Sequence, residues 1–299
     1  MERYGYRELL HDLDEICSGN PGIRYGVIGK SVMGKDIPYI AIGRGETHLH
    51  VNAGMHANEW LNVPCLMFFV KNYIKALNER ATFHGYPPEL WFEEITLWVL
   101  PMLNPDGIEL VLSGPQEDHP WKKELLELNG GDTDFSNWKA NIRGVDLNDQ
   151  FPAFWQEEAS RREKTGPGPR DFGGESPLSE PESIALASFT KERKFDAVIA
   201  LHSQGQEVYW NYRNAEPAYS ENWAVQLADA AGYKAVKLFG SDAGYKDWFI
   251  LEFRRPGFTV ETGLGVNPLP VSQYDTIAQE VERIMVTAMM LVSAKQNGE

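Results

Sequence analysis

Apolar runs that alternate with helix-forming segments constrain the fold of this chain more than any other feature. Short strands are read at Ile23–Ile28, Ile37–Ile42 and Leu49–Asn52, with Gly19-Asn20-Pro21-Gly22 and Met33-Gly34-Lys35-Asp36 as turns. Ile95–Leu100 reads as a strand ended by Pro101, Phe195–Leu201 as another, and Phe258–Val260 as a short strand leading into Glu261. Between them, Tyr6–Cys17, Glu59–Leu77, Ala218–Ala231 and Ile277–Ala294 read as helices, the third stopped by Gly232. Strands interleaved with helices predict a mostly parallel or mixed sheet covered on both faces. A length of 299 residues suits one large α/β domain or two small ones, with ample core. Gly114–Asn137 and Glu157–Pro181 break the pattern, being polar and rich in Gly, Pro and charge. They are read as functional rims or mobile loops rather than linkers, because motif residues lie on both sides of them. Ser179-Glu180-Pro181-Glu182 fits a capping box at the start of the next helix.

The chemistry-bearing residues fall at the ends of these runs. His56-Ala57-Asn58-Glu59 follows the apolar stretch from Leu49 to Gly54, and His202 closes Ala197–Leu201. Two histidines and one carboxylate are the ligand set of a catalytic zinc site, whose fourth position stays open for water or substrate. Placement after apolar strands agrees with the rule that sites in open α/β sheets lie at the strands' carboxyl ends. A His-x-x-Glu pair alone is a weak signal, since Glu59 also suits the first turn of a helix through its dipole.

Four further motifs follow in order. They are Asn104-Pro105-Asp106-Gly107, Gly144-Val145-Asp146-Leu147-Asn148, His202-Ser203 and Phe258-Thr259-Val260-Glu261-Thr262-Gly263. Together they resemble the zinc metallocarboxypeptidases, the carboxypeptidase A-like family, from Tyr4-Gly5-Tyr6 to the last helix. The resemblance implies a three-layer α/β/α fold with a central mixed twisted sheet, and residues 1–299 as a single catalytic domain. It implies one zinc per chain, held by His56, Glu59 and His202, which lowers the pKa of its water towards about 7. It implies Glu261 as the general base that takes the water's proton and delivers it to the leaving amine. Asp146 falls where the family orients the first zinc histidine. Asn104-Pro105-Asp106-Gly107 is expected to be a turn that shapes the cleft rather than a catalytic element.

Departures from the family pattern point to a branch. Where carboxypeptidases carry an arginine that forks onto a terminal carboxylate, this chain has Asp149, which would repel a carboxylate and suit an ammonium. The family's oxyanion arginine is Lys139, with Arg143 as a nearby alternative. The mobile tyrosine aligns with Phe239, counted back from Asp247-Trp248, with Tyr245 as a replacement. These features, the run Trp138–Pro152, Gly244–Ile250 and Phe253–Thr259 resemble the bacterial γ-D-glutamyl-diamino-acid endopeptidases. Those cleave the γ-D-Glu bond to meso-diaminopimelate in cell-wall peptides. Such a pocket needs both signs of charge. Asp149 beside Asn148 would take the ammonium, and Lys246 near Tyr245, or Arg254 and Arg255, the carboxylate. Trp121, Trp138, Trp155 and Trp210 lie near polar loops, where ordinary packing is favoured over cleft lining for each. Three alternatives stay open: a conventional metallocarboxypeptidase, an amino-acid deacylase of the same fold, and a non-catalytic muropeptide-binding module.

Composition narrows the partners. The formal net charge of −15 disfavours nucleic acid and anionic membranes. The resemblance implies a peptide or muropeptide partner, and oligomeric state stays open. Two cysteines, Cys17 and Cys65, make no disulfide framework, and Cys65 sits in an apolar run as a core thiol. No run reaches transmembrane length and none resembles a signal peptide, so the expected location is the cytoplasm. An upstream segment or cell-wall-anchoring domain outside this sequence would change that expectation.

Overall fold

Every residue of Ile95–Leu100 and of Ala197–Ser203 is buried, which is why these runs show no polar alternation: both faces of each strand are covered. The computed structural model describes residues 3–20 and 22–296; Pro21, in the expected Gly19–Gly22 turn, lies outside them. The strands are β1 (Ile23–Lys30), β2 (Asp36–Ile42), β3 (Thr47–Asn52), β4 (Ile95–Leu100), β5 (Ala197–Ser203), β6 (Glu207–Tyr209), β7 (Lys234–Val236) and β8 (Gly257–Thr262). They form one sheet in the order β1-β2-β4-β3-β5-β8-β6-β7. Its centre, β4-β3-β5-β8, is parallel, while β1, β2 and β6 run antiparallel to a neighbour, so the sheet is mixed as expected.

The helices are α1 (Tyr6–Gly19), α2 (Asn62–Glu79), α3 (Pro88–Glu94), α4 (Pro105–Ser113), α5 (Lys122–Leu128), α6 (Trp155–Arg161), α7 (Pro181–Arg193), α8 (Ser220–Ala231), α9 (Tyr245–Phe253) and α10 (Tyr274–Gln296). One face of the sheet packs on α2, α8 and α10 through Leu66, Phe69, Val281 and Met285, with the buried Cys65 thiol among them. The other packs on α7 and α9 through Trp98, Phe189, Phe195 and Trp248. These two apolar layers make the α/β/α sandwich.

Several local expectations need correcting. Asn104-Pro105-Asp106-Gly107 is the start of α4: Asn104 caps it by accepting from Gly107 N at 3.0 Å, and Pro105 takes the first helical position, where no N–H is needed. The same side chain donates to Met55 O and Ala140 O at 3.1 Å, so it fastens the His56 segment to the Lys139 segment. Ser179 does not form a capping box. Its hydroxyl turns to Gln150 Oε1 at 3.2 Å, and Glu182 accepts from Val32 N at 3.0 Å instead. The expected helix from Glu59 begins with a short 3₁₀ turn, Ala57–Glu59, before α2.

Candidate active site

The parallel centre of the sheet delivers three side chains to one edge. β3 ends at Asn52, and Gly54 turns the chain towards His56 with φ of +62°. A Cβ on Gly54 would sit 3.0 Å from both Ile108 and Val63, so glycine is required there for space as well as conformation. His202 on β5 and Glu261 on β8 are register partners in adjacent parallel strands. Residues far apart in sequence thus meet at the strands' carboxyl ends.

Three donor side chains converge there. His56 Nδ1 lies 2.9 Å from Glu59 Oε1 and 3.0 Å from His202 Nδ1, and His202 Nδ1 lies 3.0 Å from Glu59 Oε2. His56 Nε2 is 3.1 Å from Asp146 Oδ1, so a neutral imidazole that donates there turns its Nδ1 lone pair towards the other two donors. Two ring nitrogens facing each other beside a carboxylate are suited by a cation shared between them. Ligands about 2.0–2.1 Å from a tetrahedral zinc stand roughly 3.3 Å apart, close to this triangle. Two imidazoles and a carboxylate, all three buried, therefore suit the ion. Glu59 is further held by Ser203 N at 3.2 Å and Asn267 Nδ2 at 3.4 Å.

Behind the donors lies an ordered set of charges. Asp146 is fully buried, accepting from His56 on one oxygen and from Lys139 Nζ on the other at 2.6 Å. Burial opposes its charge, but Lys139 and His56 prevail and hold the carboxyl well below its usual range. Glu261 has the opposite environment: burial first, and the nearby Glu59 second, push its carboxyl up to about 8. Once ionised, a carboxylate whose pKa is raised in this way is a stronger base than an exposed one.

These groups open into a cleft of about 660 Å³. His56, Glu59, Lys139, Asn148, Asp149, Lys246 and Glu261 all line it. Another cavity, of about 560 Å³ near Tyr6 and Asp106, holds none of the donors, and its Lys35 is already paired with Asp106 and Glu109.

Not every expected residue reaches the cleft as foreseen. Arg143 lies outside it, its side chain half exposed and 3.6 Å from Glu180. Tyr245 is fully buried, its hydroxyl 2.9 Å from Thr190 Oγ1, because the first turn of α9 points it at α7 while Lys246 faces the cleft. Asp149 is not a free carboxylate: Arg162 Nη2 lies 2.8 Å from one oxygen and 2.6 Å from the other. Lys246 donates to Asn211 O at 2.8 Å and to Asp247 at 2.5 Å. Arg255 donates to Phe195 O at 2.6 Å and lies outside the cleft, as does Arg254, which ends α9. Phe239 is 79% exposed, between the cleft residues Leu238 and Ser241. Trp138 and Trp210 are buried, Trp155 donates to Gly173 O at 3.1 Å, Trp121 packs against the core, and none of the four lines the cleft. Residues not singled out from sequence also line it: Asn137, Arg162, Arg170, Asp171, Tyr209 and Asn267. Arg162, Arg170 and Asp171 belong to the polar stretch Glu157–Pro181, whose composition was the available signal.

A family model described as zinc carboxypeptidase matches residues 9–281. The chain belongs to the zinc carboxypeptidase family. It is 44% identical over 291 residues to γ-D-glutamyl-L-diamino acid endopeptidase 1 of Lysinibacillus sphaericus, covering 97% of this chain and 73% of that protein. It is 40% identical over 283 residues to the protein YqgT of Bacillus subtilis, covering 93% and 75%. Bovine thrombin-activatable fibrinolysis inhibitor, solved with a tick carboxypeptidase inhibitor, shares the fold with a TM-score of 0.77 at 17% identity, covering 98% of both chains. As a zinc carboxypeptidase relative, the protein is a metallopeptidase, a hydrolase acting on peptides with zinc as its metal. Among the described residues, no helix is long and apolar enough to cross a membrane.

Proposed function

We propose that this protein hydrolyses the bond between γ-D-glutamate and a diamino acid, meso-diaminopimelate, in bacterial cell-wall peptides, and that residues 1–299 work as one catalytic domain. The observation that carries the substrate reading is the cleft's charge pattern. Acidic and basic groups line it as the pairs Asp149 with Arg162 and Asp247 with Lys246, and Lys139 lines it with its partner Asp146 buried behind. A diamino acid with an ammonium and carboxylates of its own matches such a lining, whereas an apolar C-terminal side chain does not. The 44% identity to a relative named for that activity supports the same reading.

In this proposal His56, Glu59 and His202 hold the zinc, and Asp146 fixes the His56 ring. Zinc bound there supplies an activated water and polarises the scissile carbonyl. Glu261 takes the proton of the attacking water and returns it to the leaving amine. Lys139, held in the cleft by Asp146, offers its ammonium to the oxyanion that forms as water adds. Asn148 and Lys246 shape the leaving-group side: Asn148 Oδ1 accepts from Tyr245 N at 3.2 Å and so ties the Asp146 segment to α9.

The test is kcat/KM for a γ-D-Glu-meso-diaminopimelate peptide against a plain peptide with C-terminal phenylalanine. The proposal expects the diaminopimelate peptide to be preferred. Preference for the phenylalanine peptide would make this a conventional carboxypeptidase.

A further inference from the structure

We propose that Arg162 is the carboxylate receptor of this cleft, reading a substrate carboxylate on the leaving-group side of the scissile bond. The inference rests on the bond assigned above and deepens it. Sequence alone makes Asp149 the recognition group; the structure reverses the roles within the Asp149–Arg162 pair. Asp149 is sealed, with a side chain only 6% exposed, while that of Arg162 is 29% exposed and lines the cleft. A sealed acid with a presented base offers the substrate a cation.

The donors of Arg162 are unevenly used. Nη2 donates to Asp149 Oδ1 at 2.8 Å and lies 2.6 Å from Oδ2, while Nε stands 2.9 Å from Glu158 Oε1 as an ion pair without a hydrogen bond. Nη1 makes no hydrogen bond among the described residues, and Asp171 Oδ1 stands 3.9 Å from it. The guanidinium fork is therefore positioned and only part-engaged, which suits a second carboxylate. Lys246, the other candidate, has a side chain only 5% exposed and already donates to Asn211 O and Asp247. It is a sealed floor rather than a presented charge.

Arg162 is also held in advance of binding. It ends α6, and the preceding Arg161 bonds Asp242 Oδ2 at 2.6 Å while Glu158 accepts from Asp242 N at 2.8 Å. Arg213 Nε closes the network on Asp242 at 2.9 Å. The Asp242 segment thereby fixes α6 against the molecule, so little ordering remains when substrate arrives.

The experiment uses the zinc-loaded chain and three peptides. One is L-Ala-γ-D-Glu-meso-diaminopimelate. The others are its two monoamides, in each of which one diaminopimelate carboxylate is a carboxamide. Wild type should cut one monoamide roughly 10–150-fold more slowly than the acid, the range for a charge-assisted contact. Arg162→Ala should slow the acid by a similar factor and erase that gap. Arg162→Lys, which keeps the charge and loses the fork, should fall between the two and serves as well if Arg162→Ala does not fold. A gap that persists in both variants, or that Arg170→Ala erases instead, overturns the role of Arg162 and leaves the assigned bond standing. Wild type that cuts none of the three overturns the bond assignment and this inference with it.

Discussion

At the scale of single residues, the proposal separates holding an ion from moving a proton. His56, Glu59 and His202 present donors to one another within 3.0 Å, while Glu261 stands one strand away with its carboxyl raised to about 8. His56→Ala and His202→Ala should each lose both bound zinc and activity, read by elemental analysis and turnover. Glu261→Gln should keep the zinc and lose turnover by about 10²–10⁴-fold. Near-normal turnover in that variant would remove Glu261 from the mechanism. The proposal gives Lys139 two tasks, because it faces the cleft and also pairs with Asp146 at 2.6 Å. Lys139→Ala should lower kcat by roughly 10²–10³-fold, and, by releasing Asp146 from its place behind His56, weaken zinc binding by up to about 100-fold. Arg143→Ala should stay within about threefold of wild type, as befits an exposed pair. Equal losses at both positions, measured as kcat, would contradict this division.

At the scale of elements, strands announced themselves where both faces are buried. Ala197–Leu201 is a continuous apolar run and Ile95–Leu100 is broken only by Thr96, and the structure places strands on both. β6 and β7 have three residues each, too short for any period to register. α9 was illegible for another reason: Tyr245, Trp248, Phe249 and Ile250 are all buried, so it shows no polar stripe from which a helix could be read. The grouping of His56, Glu59 and His202, with Glu261 beside His202, was legible because these residues fall at or just after the ends of apolar strand runs. The Asp149–Arg162 pair was not, because a contact between α6 and the Asp146 loop is tertiary and leaves no spacing in the sequence. Glu182, read as half of a capping box, yields a pH prediction instead. It is fully buried at the start of α7, and burial pushes its carboxyl up to about 7 against the hydrogen bond from Val32 N. Its folded value lies above the unfolded value of about 4.3, so its contribution to stability is intact below that pH and is lost as pH rises through about 7. Denaturant unfolding should therefore show wild type losing up to about 3 kcal/mol relative to Glu182→Gln between pH 4 and pH 8. A difference that does not change with pH would rule out a raised Glu182.

At the scale of the whole molecule, one continuous sheet brings residues 56, 202 and 261 to a common edge, and the polar stretch after α6 supplies part of the rim. Because the donors come from two strand ends and a 3₁₀ turn, zinc should bind the folded chain far better than the unfolded one. Thermal unfolding should shift upward with added zinc, by the equivalent of about 4 kcal/mol at free zinc a thousandfold above Kd. An unfolding temperature indifferent to zinc would contradict a preformed site. The central claim is zinc-dependent cleavage at one chemical bond. Mass spectrometry of purified muropeptides tests it most directly, with the protein as purified, after chelation, and after zinc is restored. The account predicts fragments broken between γ-D-glutamate and diaminopimelate, absent after chelation and recovered with zinc. Cleavage at another bond, or the same cleavage in metal-free protein, would contradict it.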